Sequence, residues 1–182
     1  MHHELIIAGF GGQGVILAGH LLALAGMLEG RHVVWNPSYG PEMRGGSSHC
    51  TVIISSEPVG SPVVAQPDSA LILDAPSLGK FEGQVRPGGL LVVNSSLVRN
   101  GPSRTDVRVV AIPANHLAEE VGEARIANMV MLGAFLALEP VVPVARIVES
   151  LREVLPPHRH KLIPLNEKAL AVGAECAAAA KR

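Results

Sequence analysis

The residues whose types and spacing suit chemistry fall in two short clusters. The first, Gly9-Phe10-Gly11-Gly12-Gln13-Gly14, follows an apolar run and opens another. Glycines at the start of a helix let the backbone approach a phosphate closely, and the helix N-terminus offers free N–H groups with a partial positive charge. The G-x-G-x-x-G spacing is that of a dinucleotide turn, which also wants an acid about 20 residues on to hold the ribose. The next apolar strand ends at Trp35-Asn36, without an acid, and Glu29 stands before that strand. The turn therefore suits close packing or another polyanion better than a dinucleotide.

The second cluster is Ser38-Tyr39-Gly40-Pro41-Glu42-Met43-Arg44-Gly45-Gly46. It sets a phenol, a carboxylate and a guanidinium on a loop stiffened by Gly and Pro. Its place after the second strand puts it beside the glycine turn, at the carboxyl edge where α/β sheets bind ligands. Tyr and Arg are residue types that anchor interfaces. Ser38 through Gly46 are accordingly interface candidates. Gly9, Gly11, Gly12, Gln13, Gly14, Tyr39, Glu42 and Arg44 are candidates for a ligand edge.

Other groups offer less. His158-x-His160 with Lys161 reads as a solvated basic turn, and His2-His3 as a frayed terminus. His49 and Cys50 are adjacent on a strand and point to opposite faces. No Ser/His/Asp signature, P-loop or metal-spaced carboxylates occur. Cys50 and Cys176 are too few for an iron–sulfur cluster or a structural zinc, and read as buried thiols of a reducing cytosol.

The elements that position these clusters alternate. Leu5–Ala8 is a short buried strand, a helix runs from about Gln13 to Leu28, and His32–Trp35 is a second strand, which together make a βαβ start. Asn36–Ser47 reads as loop and Ser48–Ser55 as strand, while residues 57–62 suit a hairpin turn or an edge cover. Ala70–Asp74, Leu90–Asn94 and Val107–Ile112 are further strands, with a connector between Asp74 and Gly83. Helical patterns follow at Asn115–Val121, Ala124–Leu138, Val144–Leu155 and Leu165–Ala180, punctuated by prolines. The expected fold is α/β: a Rossmann-like, doubly wound, mostly parallel sheet with a helical C-terminal part, as one domain over 1–182.

Composition agrees. The 182 residues are 48% hydrophobic but hold only five aromatics, so the core is aliphatic, as in buried parallel sheets. Fifteen Lys+Arg against 16 Asp+Glu give a formal charge of −1, without the basic excess of a nucleic-acid binder. Leu5–Ala25 mimics a signal peptide, but it lacks a basic lead and is broken by Gly and His. No apolar run reaches the ~20 residues of a membrane span, and a cytoplasmic protein is expected.

Taken together, Ala8–Val15, Ser38–Gly46 and Cys50-Thr-Val-Ile-Ile-Ser55 resemble the gamma subunit of 2-oxoacid:ferredoxin oxidoreductases. The 2-oxoglutarate and 2-ketoisovalerate types are most similar, with pyruvate and indolepyruvate enzymes as relatives. The resemblance extends to Pro67-Asp68 and to Pro164–Ala169. It implies a multi-subunit enzyme that decarboxylates a 2-oxoacid, forms an acyl-CoA and reduces ferredoxin. Thiamine diphosphate, Mg²⁺ and iron–sulfur clusters would be held by alpha, beta and ferredoxin-like (delta) subunits, and coenzyme A is a further cofactor of the whole. This chain would bind none of them alone and would carry no catalytic residue or metal. It would instead pack its two clusters on the alpha subunit near the active cleft. A homodimer of the isolated protein stays open. Two alternatives also stand: a free-standing dinucleotide-dependent oxidoreductase, and a purely structural interaction module.

Overall fold

The computed structural model describes residues 1–39 and 46–180, with Tyr39 described through its backbone. Among these, six strands form one sheet: β1 (His2–Phe10), β2 (His32–Tyr39), β3 (Ser47–Ser55), β4 (Ser69–Ile72), β5 (Leu90–Asn94) and β6 (Arg108–Ile112). The helices are α1 (Val15–Leu28), α2 (Ala75–Phe81), α3 (Ala114–Val121), α4 (Ala127–Leu138), α5 (Val144–Val154) and α6 (Ile163–Ala180).

The strand order is β2-β3-β1-β4-β5-β6. Strands β1, β4, β5 and β6 pair in parallel, while β3 runs antiparallel to both β1 and β2. The mostly parallel Rossmann-like sheet is therefore present, with one reversed strand inserted beside β1. The strand after α1 reaches the sheet two places away, as the edge strand β2.

Several boundaries differ from the sequence pattern, each for a physical reason. Strand β2 runs through Pro37 to Tyr39, where the pattern suggested loop from Asn36. An edge strand tolerates the missing proline N–H. Residues 57–62 do not turn a hairpin, because β1 lies between β3 and β4. The stretch after Asp74 is helix α2, not plain connector: the Asp74 carboxylate accepts from Ser77 N at 3.0 Å, and Pro76 occupies the first turn. His2 and His3 are not frayed, since β1 begins at His2 and pairs His2 with Ser55 and His3 with Ile54.

Helices α1, α3, α4, α5 and α6 share the larger apolar core on one face of the sheet, and α2 covers a smaller one on the other. Helix α4 is apolar on nearly every side and is buried from Ala127 to Leu136, as expected of a helix enclosed by other elements. Its neighbour α6 lies close enough for backbones to touch. A Cβ on Gly133 would run into the Leu170 carbonyl, and one on Gly173 into the Val130 carbonyl. Backbone has no rotamers with which to move aside, so these two glycines set the helix spacing.

At the opposite end of the sheet from the glycine turn, His3 Nε2 lies 3.1 Å from Ser69 Oγ, and its ring tilts against Phe135 at 5.7 Å. Burial holds the His3 imidazole below the ordinary histidine range, against the opposing pull of Asp68 and Glu139. His49 is held low as well, by burial and then by Lys80.

Two outcomes follow. Gly133→Ala and Gly173→Ala each destabilise the fold by about 2–3 kcal/mol through overpacking, measured by urea unfolding. Because His3 and His49 bind protons more readily unfolded than folded, stability is full above about pH 6.5 and falls as pH drops below that value. The urea midpoint decreases from neutral to mildly acidic pH, and the decrease is smaller in His3→Gln.

Candidate functional site

The glycine turn begins where β1 leaves the sheet. Gly12 has φ +104° and Gly14 has φ +74°, a left-handed conformation that favours glycine at both. Gly14 stands at the start of α1, a helix end without a side-chain hydrogen bond to cap it. Gly9 is required for space: a Cβ there would meet Leu73 Cβ at 3.0 Å and Val15 Cγ2 at 3.1 Å, as well as the Gln13 side chain.

Side-chain amides hold the turn in place. The Gln13 Oε1 accepts from Phe10 N at 2.9 Å, and its Nε2 donates to the Leu73 carbonyl at 3.4 Å. Asn128 at the start of α4 donates to the Gly14 carbonyl at 3.1 Å. Asn94, buried at the end of β5, donates to the same Leu73 carbonyl at 3.2 Å and to Asn115 Oδ1 at 2.8 Å. Its own carbonyl oxygen accepts from Ser96 N and Ala114 N, each at 3.2 Å. The carboxyl ends of β1, β4, β5 and β6 are thereby joined by one amide network through Leu73.

Above that network lies a cleft of about 330 Å³, bordered by Phe10, Gly12 and Gln13 on one side and Leu97, Asn115 and Arg125 on the other. It sits where connections leave β1 and β4 in opposite directions, the switch point at which open α/β sheets take ligands. Gly12 faces open space there. Phe10 and Leu97 are each 40% exposed, leaving an apolar rim. Sequence reasoning found the turn but missed Asn94, Asn115, Asn128 and Leu97. The strand and helices of the three asparagines were legible, but which residues meet above β1 was not.

The described ends of the second cluster, Ser38, the Tyr39 backbone and Gly46, lie beside the glycine turn. Across the sheet, Gly9 pairs with Ser48 and Ser48 with Tyr39, so the three lie in one row. Ser38 pairs with His49, one step further in. Gly11 N donates to the Gly46 carbonyl at 2.9 Å, tying the turn directly to the end of the second cluster. Gly40, Pro41, Glu42, Met43, Arg44 and Gly45 lie outside the described residues.

The same topology removes the place of a dinucleotide ribose. In that site the strand after α1 is the immediate neighbour of β1, and its last residue holds the ribose. Here β3 fills that position, so the end of β2 stands about 10 Å from β1, two strand spacings away. Its last residues, Ser38 and Tyr39, also bring no carboxylate.

The cysteines do not fit a metal cluster. Cys50 points into the core against α1, with Sγ 3.7 Å from the Val15 carbonyl oxygen, and burial pushes its thiol up to about 12. Cys176, on α6, is also raised by burial. Thiolates are the ligating form, and neither residue favours it. His49 faces the other side of the sheet, its ring 4.9 Å from Phe81. His160 Nε2 lies 2.8 Å from the Leu155 carbonyl, within the basic turn. Among the described residues no helix is long and apolar enough to cross a membrane.

Fold and site thus define an α/β domain whose glycine turn is hydrogen-bonded to Gly46, just before β3, and borders a cleft at the carboxyl edge of the sheet. The protein belongs to the pyruvate ferredoxin/flavodoxin oxidoreductase family, which it matches over residues 4–176. It is 42% identical over 174 residues to the ketoisovalerate oxidoreductase subunit VorA of Methanothermobacter marburgensis, covering 94% of this protein and 36% of that one. It therefore spans about a third of the length of that relative. It is 38% identical over 164 residues to the 2-oxoglutarate synthase subunit KorC of the same organism, covering 86% of this protein and 88% of that one. A solved structure, the gamma subunit of a keto/oxoacid ferredoxin oxidoreductase from Geobacter sulfurreducens, superposes with a TM-score of 0.84 at 35% identity. That likeness covers 98% of this protein and 99% of that one.

The thiol environments give a direct check. Alkylation of the native protein at mildly alkaline pH modifies Cys176 slowly and leaves Cys50 untouched, while unfolding exposes both. Mass spectrometry should find at most one adduct before denaturation and two after it.

Proposed function

We propose that this protein is the gamma subunit of a multi-subunit 2-oxoacid:ferredoxin oxidoreductase, which oxidatively decarboxylates a 2-oxoacid to an acyl-CoA and reduces ferredoxin. The observation that carries the reading is the row Tyr39–Ser48–Gly9 with the Gly11–Gly46 bond, which ties the described ends of the second family cluster to the glycine turn. The size relation to the relatives supports it. The same domain is nearly the whole of KorC and about a third of VorA, so it occurs both free and joined to a larger polypeptide.

In this reading the subunit works in the cytoplasm with alpha, beta and ferredoxin-like delta subunits. Thiamine diphosphate with Mg²⁺, the iron–sulfur clusters and coenzyme A belong to the assembled enzyme; here Cys50 is buried and Cys176 half-buried, and burial raises both thiols away from the ligating form. The electron transfer and the carbon chemistry take place on groups the partners hold. The gamma subunit contributes shape and charge: the amide-braced glycine turn forms a rigid wall, and Tyr39, Glu42 and Arg44 border the active cleft or the alpha subunit. The dinucleotide alternative is disfavoured by the position of β3.

Reconstitution with the partner subunits tests the proposal. Alone, the protein is expected to be colourless and to show no 2-oxoacid-dependent viologen reduction; activity of the single subunit would overturn it. Arg44→Ala should assemble normally and lower kcat/KM for acyl-CoA formation by about 10–100-fold, the loss of one charged hydrogen bond. Failure of Arg44→Ala to assemble would reduce the loop to an interface.

A further inference from the structure

We propose that Asn100–Gly101 is a site of self-catalysed deamidation, a covalent modification independent of the reading above. The sequence has six asparagines, and Asn100 alone precedes a glycine. Attack by the following backbone nitrogen needs that nitrogen accessible, its N–H unengaged and the backbone free to bend toward the asparagine amide group. The loop between β5 and β6 meets all three conditions.

The loop is pinned on both sides of this pair but not at it. On one side, Leu97 N and Val98 N donate to the Asn94 carbonyl at 3.2 and 2.9 Å. On the other, Ser103 N donates to Glu82 Oε2 at 3.0 Å, and Arg104 Nη1 donates to the Glu82 carbonyl at 2.9 Å. Between these anchors Asn100 and Gly101 are exposed, lie outside helix and strand, and make no hydrogen bond to any described residue. A Cβ on Gly101 would meet no atom within 4 Å, so the space beside its Cα is open.

The other asparagines are protected. Asn36 precedes Pro37, which has no N–H. Asn94 is 1% exposed with both amide atoms bonded, and the Ser95 N–H after it is donated to the Ile112 carbonyl at 2.9 Å. Asn115, Asn128 and Asn166 lie in helices α3, α4 and α6.

The chemistry balances without a co-reactant other than water. The Gly101 nitrogen, losing its proton, forms a bond to Asn100 Cγ; the bond from Cγ to Nδ2 breaks and ammonia leaves, closing a succinimide. Water then opens that ring at either carbonyl, to aspartate or to isoaspartate. Both products add one negative charge beside Glu82 and Arg99, which share a surface hollow with Asn100. The isoaspartyl product also lengthens the backbone by one carbon.

The test incubates the whole folded protein at mildly alkaline pH and follows it by ion exchange and peptide mapping. A more acidic species should accumulate, with a mass gain of about 1 Da confined to the Asn100 peptide. That peptide should resolve into aspartyl and isoaspartyl forms. Gly101→Ala should slow the conversion roughly tenfold by shielding the nitrogen and stiffening the backbone. Asn100→Gln should abolish the acidic species. Conversion at another asparagine first, an intact Asn100 peptide, or an acidic species persisting in Asn100→Gln would each overturn the proposal.

Discussion

Strand β3 hydrogen-bonds along its length to β1 on one side and to β2 on the other, antiparallel to both, and the carboxyl edge takes its form from that pairing. Because β3 runs back toward the start of β1, its first residue, Ser47, stands opposite Phe10 where β1 ends. The end of β2 at Tyr39 and the start of β3 are thereby brought to the row of Gly9, and Gly11 closes the contact through the Gly46 carbonyl. The same strand occupies the space a parallel neighbour would need to hold a ribose. One pairing decision thus brings the end of β2 and the start of β3 to the glycine turn and leaves no parallel neighbour of β1 on that side.

The turn's rigidity comes from farther away. Gly133 and Gly173 let α4 and α6 pack backbone to backbone, which places Asn128 at the start of α4 within reach of the Gly14 carbonyl. Asn94 and Gln13 reach the Leu73 carbonyl from opposite sides. Each buried amide is satisfied, so the polar network strengthens the edge where unpaired groups would have weakened it. An aliphatic core with few aromatics suits this arrangement, since short side chains allow the close approach of helices on which the alignment depends.

The thiols and the end of β2 are consistent with that architecture. A thiol pushed up to about 12 in the core is a packing group, and β2 ends on a serine and a tyrosine where a dinucleotide site would need an acid. The relatives carry the domain in two forms, as most of one polypeptide and as a third of another.

Much of this was legible in the sequence. The strand periods, the glycine turn and the proline-marked helices follow from local sterics and apolar spacing, which act within a few residues and leave their pattern in the order of residues. So did the family, because two motifs at a set separation are far more specific than either alone. Elements that local signals underrate were misjudged: β2 continues through Pro37 because the edge of a sheet forgives a missing donor, and His2-His3 are ordered because β3 pairs with them. The tertiary structure alone decided that a reversed strand lies between β1 and β2, and that Asn94, Asn128 and Gln13 converge on one turn. Strand order and the meeting of distant amides depend on long-range pairing and packing, and those energies are set by which surfaces fit together in space, not by neighbours along the sequence.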